Sequence, residues 1–223
     1  MVIACWSVKG GSGATVVATT IAALAGRRDG GAALLVDLVG DAPTVLGVPE
    51  PEGPGVADWL AAGDAVGVAA IGRLARPVAD GIELVARGRR AVAGVERARL
   101  LAAHLQGLDR PVVIDVGALD ASAADDGDGA RRAVLDGADR SWLVIRPCFL
   151  SLRRALAVAR RPDGIVLVEE EGRALGRTDV EDVLGAPVIA TVPVDPAVAR
   201  AVDAGLLVAR LPATIGRPLA AAV

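Results

Sequence analysis

Apolar positions along the chain follow two alternating patterns. Short, nearly continuous runs rich in Val, Ile and Leu are separated by longer segments in which apolar residues recur at helical spacing. The continuous runs are typical of strands buried on both faces, and the spaced segments are typical of amphipathic helices. The runs predict strands at residues 2–8, 32–37, 82–86, 112–116, 141–146, 165–168 and 188–192. The spaced segments predict helices at residues 15–28, 56–62, 95–105, 130–135, 150–160, 178–184 and 195–204.

This alternation predicts the fold class. Strands joined through helices run parallel, so we expect an α/β fold with a doubly wound, mostly parallel sheet flanked by helices on both faces. No linker or repeat interrupts the pattern, and we expect one domain over residues 1–223. Residues 121–129 are the most loop-like segment. Asp125, Asp126 and Asp128 lack the spacing and the bidentate Glu of a calcium loop, so we predict a solvated loop there.

The composition excludes several classes of protein. Hydrophobic residues make up 53% of the chain and charged residues 23%, which supports a large core. No apolar stretch reaches the ~18 residues of a membrane-spanning helix. Residues 1–8 lack a basic n-region and are interpreted as a strand, not a signal peptide. The net charge of −3 argues against a strongly basic nucleic-acid surface, and three Trp, one Phe and no Tyr argue against a base-stacking platform.

The cysteines and the single histidine suggest no catalytic or metal site. Cys5 and Cys148 both lie in apolar runs and are expected to be reduced, buried thiols, which favours a cytoplasmic location. His104 has no Cys or carboxylate at ligand spacing, so we expect an ordinary surface or half-buried side chain on a helix.

A glycine-rich segment carries the strongest chemical signal. It reads K-G-G-S-G-A-T, follows the first predicted strand and opens the first predicted helix. Loop amides and a helix N-terminus both direct positive dipoles at an anion, and a Thr hydroxyl is suited to Mg²⁺. The residues expected to bind nucleotide phosphates are Lys9, Gly10, Gly11, Ser12, Gly13, Ala14 and Thr15, with Thr15 also a magnesium ligand.

Two predicted strands carry an aspartate at or next to their carboxyl end. Asp37 follows A-A-L-L-V, and Asp115 follows V-V-I. Ligands of open α/β sheets bind at the carboxyl ends of the strands, where both side chains are expected. Asp115 has the pattern of a Walker B aspartate, which holds Mg²⁺ directly or through water.

The glycine-rich segment resembles the deviant Walker A motif of the ParA/MinD family, K-G-G-x-G-K-[ST]. Lys9 matches the signature lysine, which in the family reaches the partner's phosphates across a dimer. Ala14 stands in place of the second lysine. The form G-G-x-G-A-[ST] resembles the pilus-localisation branch called CpaE or TadZ. The loss of that ammonium predicts weaker binding and much weaker hydrolysis.

The segment after the second strand resembles the family's D-x-D switch. Asp37 matches the first aspartate, and Val39 replaces the second, which in the family supports Mg²⁺ and the attacking water. Asp41 lies two residues further on. It either substitutes for the missing carboxylate if the loop bends or caps a turn or helix before Pro43.

The later chain also resembles the family. Residues 138–147 resemble its A-D-x-x-x-x-V-x-x-P strand, and residues 150–155 resemble the helix after that strand. Residues 185–188 and 192–195 resemble its G-l-p-V…I-P-x-D pattern. The resemblance implies that Pro193 and Asp195 lie near the adenine. Glu169 occupies the position where the family often has an Asn that reads the base. A carboxylate accepts from the adenine amino group but does not donate as an amide does, so base preference stays open.

The resemblance implies an ATP- and Mg²⁺-binding positioning or assembly factor with slow or absent hydrolysis. Magnesium is expected at Thr15, Asp37 and Asp115, and the catalytic candidates are Lys9, Asp37 and Asp41. It implies a nucleotide-dependent homodimer that recruits a protein partner, such as a pilus or secretion component. Two alternatives remain: a ParA-like ATPase of chromosome or plasmid partition, and a pseudo-ATPase scaffold without nucleotide.

Two surface features bear on other partners. ParA proteins bind DNA nonspecifically through basic residues, and Arg153, Arg154, Arg160 and Arg161 form a basic stripe. The negative net charge favours a solvated helix face, so DNA binding is possible but not preferred. Residues 217–223 are too short for the amphipathic membrane helix of MinD proteins, and direct membrane insertion is not expected.

Overall fold

A computed structural model describes residues 1–28, 32–79, 81–120, 126–158 and 160–223. Its strands form a single sheet in the order β3-β4-β2-β5-β1-β6-β7-β8. Neighbours pair in parallel except β3 and β4, which are antiparallel. The strands are β1 (Val2–Ser7), β2 (Ala33–Asp37), β3 (Arg76–Ala79), β4 (Ile82–Val85), β5 (Val112–Ala118), β6 (Arg140–Ile145), β7 (Gly164–Glu169) and β8 (Val188–Pro193).

Helices cover both faces of this sheet. They are α1 (Ala14–Arg28), α2 (Ala42–Leu46), α3 (Val56–Leu60), α4 (Val95–Gln106), α5 (Asp126–Asp136), α6 (Phe149–Ala157), α7 (Arg177–Leu184), α8 (Pro196–Asp203) and α9 (Ala213–Ala222). Side chains of α1, α2 and α9 pack on one face, and those of α3 to α7 pack on the other. The predicted doubly wound α/β fold is confirmed.

The central strand β1 shows why its sequence is continuously apolar. Every residue from Val2 to Ser7 is buried. Ile3 and Cys5 belong to the core layer beneath α1, while Ala4 and Trp6 belong to the layer on the other face. Because successive side chains of a strand point to opposite faces, burial on both sides requires apolar residues at nearly every position.

The hydrophobic pattern did not predict one strand and two α-helices of the fold. β3 is a half-exposed edge strand with Pro77 in it, so it lacks a continuous apolar run. α2 is only five residues long and has Pro43 in its first turn. α9 has Pro218 inside it, yet Ile215 and Leu219 are fully buried against α1 and β8.

The predicted loop at residues 121–129 is wrong in part. Residues 121–125, including Asp125, lie outside the described residues. Residues 126–129 form the first turn of α5 instead of a loop. Asp126 and Asp128 in that turn are favourably placed at the positive end of the helix dipole. Asp126 also accepts a hydrogen bond from the Gly94 N–H at 3.0 Å, and Asp128 accepts one from the Asp120 N–H at 3.0 Å.

Only some arginines of the predicted basic stripe are exposed and free of acidic partners within the described ranges. Arg153 and Arg154 are exposed on α6, but Arg160 is half-buried and lies 3.4 Å from Asp136 and 3.5 Å from Asp163. His104 is half-buried on α4, as expected of an ordinary helix residue. Among the described residues, no helix combines the length and apolar character needed to cross a bilayer.

Candidate functional site

The glycine-rich loop joins the carboxyl end of β1 to the first turn of α1. The Ser7 and Ser12 hydroxyls both donate to the Lys9 carbonyl, at 3.1 and 3.0 Å, and hold the loop closed. Gly11 and Gly13 have φ values of +73° and +89°, which L side chains rarely adopt. A Cβ added at Gly10 would meet no atom within 4 Å, and its φ is not positive. The space beside Gly10 is therefore open, as close approach of a ligand to the backbone would require.

Asp115 lies in the middle of the sheet beside this loop. It pairs in register with Cys5 of β1 and Asp37 of β2, and it is fully buried. Its Oδ1 accepts from the Gly117 N–H at 3.2 Å, while its Oδ2 is buried and has no hydrogen-bond partner among the described residues. Burial raises the pKa of Asp115 to about 7, and the neighbouring Thr15 hydroxyl is the main group that opposes the rise. An orphaned carboxylate oxygen beside a Thr hydroxyl fits a hard, oxygen-ligated cation such as Mg²⁺.

Asp37, the neighbouring carboxylate, is fully engaged by its own loop. Its Oδ1 accepts from the N–H groups of Val39 at 2.8 Å and Gly40 at 2.7 Å. Its Oδ2 accepts from the Ala42 N–H at 3.1 Å. Burial raises the pKa of Asp37, and these three hydrogen bonds oppose that rise. The carboxylate therefore organises the turn that leads into α2.

Asp41 and Val39 complete this loop. Asp41 is exposed and occupies the N-cap position of α2, but it makes no side-chain capping hydrogen bond. Its charge contributes to raising the pKa of both Asp37 and Asp115, which places Asp41 on the same side of the sheet edge. Val39 packs closely on Gly117, where an added Cβ would lie 2.5 Å from Val39 Cγ2.

Lys9 lies towards the loop between β6 and α6. Its charge contributes to lowering the pKa of Cys148, mainly lowered by the Ser151 hydroxyl 3.1 Å from the thiol sulfur. Cys148 is partly exposed, so the expectation that it is buried is wrong: it follows β6 at the sheet edge instead of lying within the strand. Cys5 is buried, and desolvation raises the pKa of its thiol far above the usual range.

A cavity of about 310 Å³ opens beside the glycine-rich loop. It lies between the start of α1, the ends of β7 and β8, and helices α8 and α9, and most of its wall is apolar. Its lining brings the predicted residues Ser12, Gly13, Pro193 and Asp195 together. This size is at the lower end of small-molecule sites.

Two observations on this cavity modify the prediction for how the nucleotide base is bound. β7 contributes Val168 to the lining, whereas Glu169 is exposed and is not among the lining residues. Asp195 accepts from the Ala197 N–H at 2.7 Å and from the Thr214 hydroxyl at 2.7 Å, which caps α8 and ties it to α9. The Asp195 carboxylate thus shapes the cavity wall.

Two arginines near the site were not predicted from the sequence. Arg146 follows β6 and lines the cavity, and Arg87 follows β4 with its guanidinium against Gly40, 3.0 Å from a built Cβ. The Nε atoms of both are buried without a hydrogen-bond partner in the described part of the chain. Arg146 immediately follows β6 and Arg87 lies two residues after β4, so both are near the carboxyl ends of buried strands, where ligands of open α/β sheets bind.

Larger cavities lie away from this edge. One of about 700 Å³ is at the amino ends of the strands, next to Met1, Glu83 and Arg110. Another of about 520 Å³ lies beside Arg132 and Arg160, which already donate to Asp120 and Asp136. Neither contains the glycine-rich loop or the paired carboxylates.

Solved structures share this architecture. A ParA family ATPase from Chlorobium tepidum TLS superposes with a TM-score of 0.77 at 18% identity, covering 98% of this chain and 95% of that one. This chain has the fold of the ParA and MinD proteins. MinD from Pyrococcus horikoshii OT3, complexed with Mg-ADP, gives a TM-score of 0.78 at 18% identity, covering 99% and 93% of the two chains. MinD in a MinC:MinD complex from Aquifex aeolicus gives 0.75 at 19% identity, covering 99% and 93%.

Two comparisons at the level of sequence gave no match. No protein-family model matches it, and no curated protein is similar to it. At the identities of the solved structures, the similarity demonstrates the fold.

Proposed function

We propose that this chain is a single-domain, ATP-binding positioning or assembly factor of the ParA/MinD type with weak or absent hydrolysis. The observation that carries the proposal is that two features meet at the carboxyl ends of the central strands. These are the loop of residues 9–15, which includes Thr15, and the orphaned Oδ2 of Asp115. The loop amides and the N-terminus of α1 would hold the phosphates. Thr15 and Asp115 would hold Mg²⁺, which supplies positive charge against them.

The expected weakness of hydrolysis follows from three side chains. Ala14 carries no ammonium beside the phosphates, and Val39 offers no carboxylate to orient water. Asp37 already accepts three backbone hydrogen bonds, so binding Mg²⁺ or water would compete with the loop that it holds. Phosphoryl transfer depends on positioned charge, and its loss lowers hydrolysis more than binding.

The proposed partners are a second copy of the chain and an accessory protein. The charge of Lys9 acts on Cys148 in the β6–α6 loop, and α6, which follows this loop, exposes the large apolar side chains Phe149, Leu150 and Leu156. This edge offers a surface for a nucleotide-dependent homodimer in which Lys9 reaches the partner's nucleotide. MinD in complex with MinC is a precedent for recruitment of another protein in this fold. We further propose that the protein is located in the cytoplasm and serves a pilus or secretion system.

A second candidate is a partition ATPase that uses Asp41. The charge of Asp41 acts on both Asp37 and Asp115, so Asp41 lies near the carboxyl ends of β2 and β5. A carboxylate that orients the attacking water would have to lie there, which supports this candidate. Phosphate release that requires Asp41 would favour this candidate over the slow-hydrolysis proposal.

The test is calorimetric titration with ADP, ATP and a non-hydrolysable ATP analogue in Mg²⁺, with molar mass from light scattering and phosphate release measured in parallel. We expect micromolar binding, a shift to dimer with ATP that Lys9→Ala abolishes, and phosphate release close to the protein-free control. Ala14→Lys should tighten binding by about tenfold, since a charge-assisted hydrogen bond contributes ~1.5 kcal/mol or more. No binding at millimolar nucleotide would contradict the proposal and leave a nucleotide-free scaffold.

A further inference from the structure

Arg146 occupies a position that brings charge to the phosphate-binding loop. It immediately follows Ile145, the last residue of β6, and β6 lies between β1 and β7 in the sheet. The loop of residues 9–15 leaves the sheet from the end of β1, the strand next to β6. Arg146 lines the 310 Å³ cavity together with Ser12 and Gly13 of that loop.

One donor of the half-buried Arg146 guanidinium, its Nε–H, is unsatisfied. Its Nε is buried and has no hydrogen-bond partner in the described ranges. The acidic side chain that senses its charge, Glu170, is already bound by Arg173 through Nε at 2.8 Å and Nη2 at 2.6 Å. Arginine is permanently charged and only donates hydrogen bonds, so an unpaired, desolvated Nε–H favours an acceptor supplied from outside the chain.

The chemistry of that acceptor follows from the rest of the wall. Most of the cavity is apolar, and the Asp195 carboxylate is committed to Ala197 and Thr214. At position 14 the chain presents a buried methyl group where an ammonium would neutralise phosphate. A guanidinium donates two parallel hydrogen bonds to the oxygens of a phosphate. A sugar or a base is neutral and offers no such anionic pair of acceptors.

We propose that Arg146 binds the phosphates of the nucleotide and supplies from β6 the positive charge that Ala14 lacks. This inference rests on the proposed nucleotide binding and assigns a further binding residue to that site. Arg87 does not take this role, because its guanidinium lies against Gly40 and it is absent from the cavity lining.

The experiment compares adenosine and ADP binding, by calorimetry without Mg²⁺, for the full chain and three variants. Arg146→Gln should weaken ADP binding by roughly 10- to 100-fold and leave adenosine binding within about twofold, because only ADP carries phosphates. Arg146→Lys should recover part of the ADP affinity through charge alone. Arg28→Gln, with the same charge change at the far end of α1, is the matched control and should bind both ligands like the unmodified chain.

The outcomes separate this inference from the proposed function. Unchanged ADP affinity in Arg146→Gln, with normal binding by the unmodified chain, would overturn the role of Arg146 alone. Equal losses for adenosine and ADP would also overturn it, since the side chain would then act on the nucleoside or on the cavity wall. Failure of the unmodified chain to bind ADP would overturn the proposed function and this inference together. Thermal unfolding of each variant identifies any loss caused by misfolding, and Arg146→Lys then carries the comparison.

Discussion

Two loops at the carboxyl edge of the sheet use the same residue for different purposes. Asp37 ends β2 and Asp115 lies on β5, directly opposite in register, and both side chains are 0% exposed. Asp37 accepts three backbone hydrogen bonds from the loop that follows it. Asp115 accepts one backbone hydrogen bond, from Gly117, and its Oδ2 has no hydrogen-bond partner among the described residues. Burial alone therefore does not identify a ligand-binding carboxylate.

The difference lies in the unused hydrogen-bonding capacity. A buried carboxylate with both oxygens occupied is part of the backbone architecture, whereas one with an orphaned oxygen is destabilising until something binds it. Asp115 is in this second state, and its proximity to Thr15 supplies a second oxygen for the same ligand. Three measurements test this contrast, from the largest expected effect to the smallest.

The largest effect is expected from replacing each carboxylate by its amide. Asp37→Asn places an NH₂ group opposite the Ala42 N–H, so a buried donor loses its acceptor. We expect the free energy of unfolding to fall by about 2–3 kcal/mol. Asp115→Asn keeps the bond from Gly117 and removes a buried charge, so its stability should be equal or higher. Urea unfolding at pH 8 in EDTA measures both changes.

The two variants serve as controls for each other, because the two positions are equally buried and the chemical change is identical. Equal losses of stability in Asp37→Asn and Asp115→Asn would contradict the division of roles. Loss of Mg²⁺-dependent nucleotide binding in Asp115→Asn, with normal stability, would support it further.

An intermediate effect is expected from pH. The pKa of Asp115 is about 7 in the folded chain, against about 3.9 for an unfolded aspartate. Between these values the folded state binds the extra proton, so stability falls as pH rises. The stability lost between pH 6 and 8 should be on the order of 1 kcal/mol, and the raised pKa of Asp37 acts in the same direction.

Urea unfolding of the unmodified chain and Asp115→Asn across this range, without Mg²⁺, isolates the contribution of the one side chain. The slope should be shallower in the variant. If both proteins lose the same stability from pH 6 to pH 8, Asp115 does not titrate there.

The smallest effect is expected at Asp41. It occupies the N-cap position of α2 but makes no capping hydrogen bond, and Asp37 satisfies the Ala42 N–H instead. Asp41→Ala should therefore change stability by less than about 0.5 kcal/mol, whereas a functional cap would contribute about 1 kcal/mol. Thermal unfolding decides between these values. A loss of 1 kcal/mol or more would restore the capping role that the sequence left open.

The fold was largely predictable because burial on both faces imposes a local pattern. Each of the seven predicted strands corresponds to a strand of the sheet, and the glycine-rich segment lies at the start of α1 as expected. β3 and α9 were not predicted, each for a different reason. β3 is half-exposed and needs no apolar run, while α9 contains Pro218, which is typical of a chain that leaves a helix.

Side-chain roles at the site were less accessible to sequence reasoning. The sequence places Asp37, Asp115 and Arg146 at apolar runs, and nothing in these runs shows which side chain keeps an atom free for a ligand. Which carboxylate is saturated depends on how the loop after β2 folds back on Asp37, and which arginine meets the cavity depends on strand order. Both are properties of atoms brought together from distant parts of the chain.

The sequence by itself determined the alternation of strands and helices, the glycine-rich phosphate loop and the residues missing from it, Ala14 and Val39. These follow from local requirements: the period of each element, the positive φ of Gly11 and Gly13, and the identity of single side chains. Only the tertiary structure decided that Asp37 is engaged, that Asp115 keeps an open oxygen and that Arg146 lines the cavity. The reason is that hydrogen-bond satisfaction depends on neighbours in space, which strand order sets and local sequence does not encode.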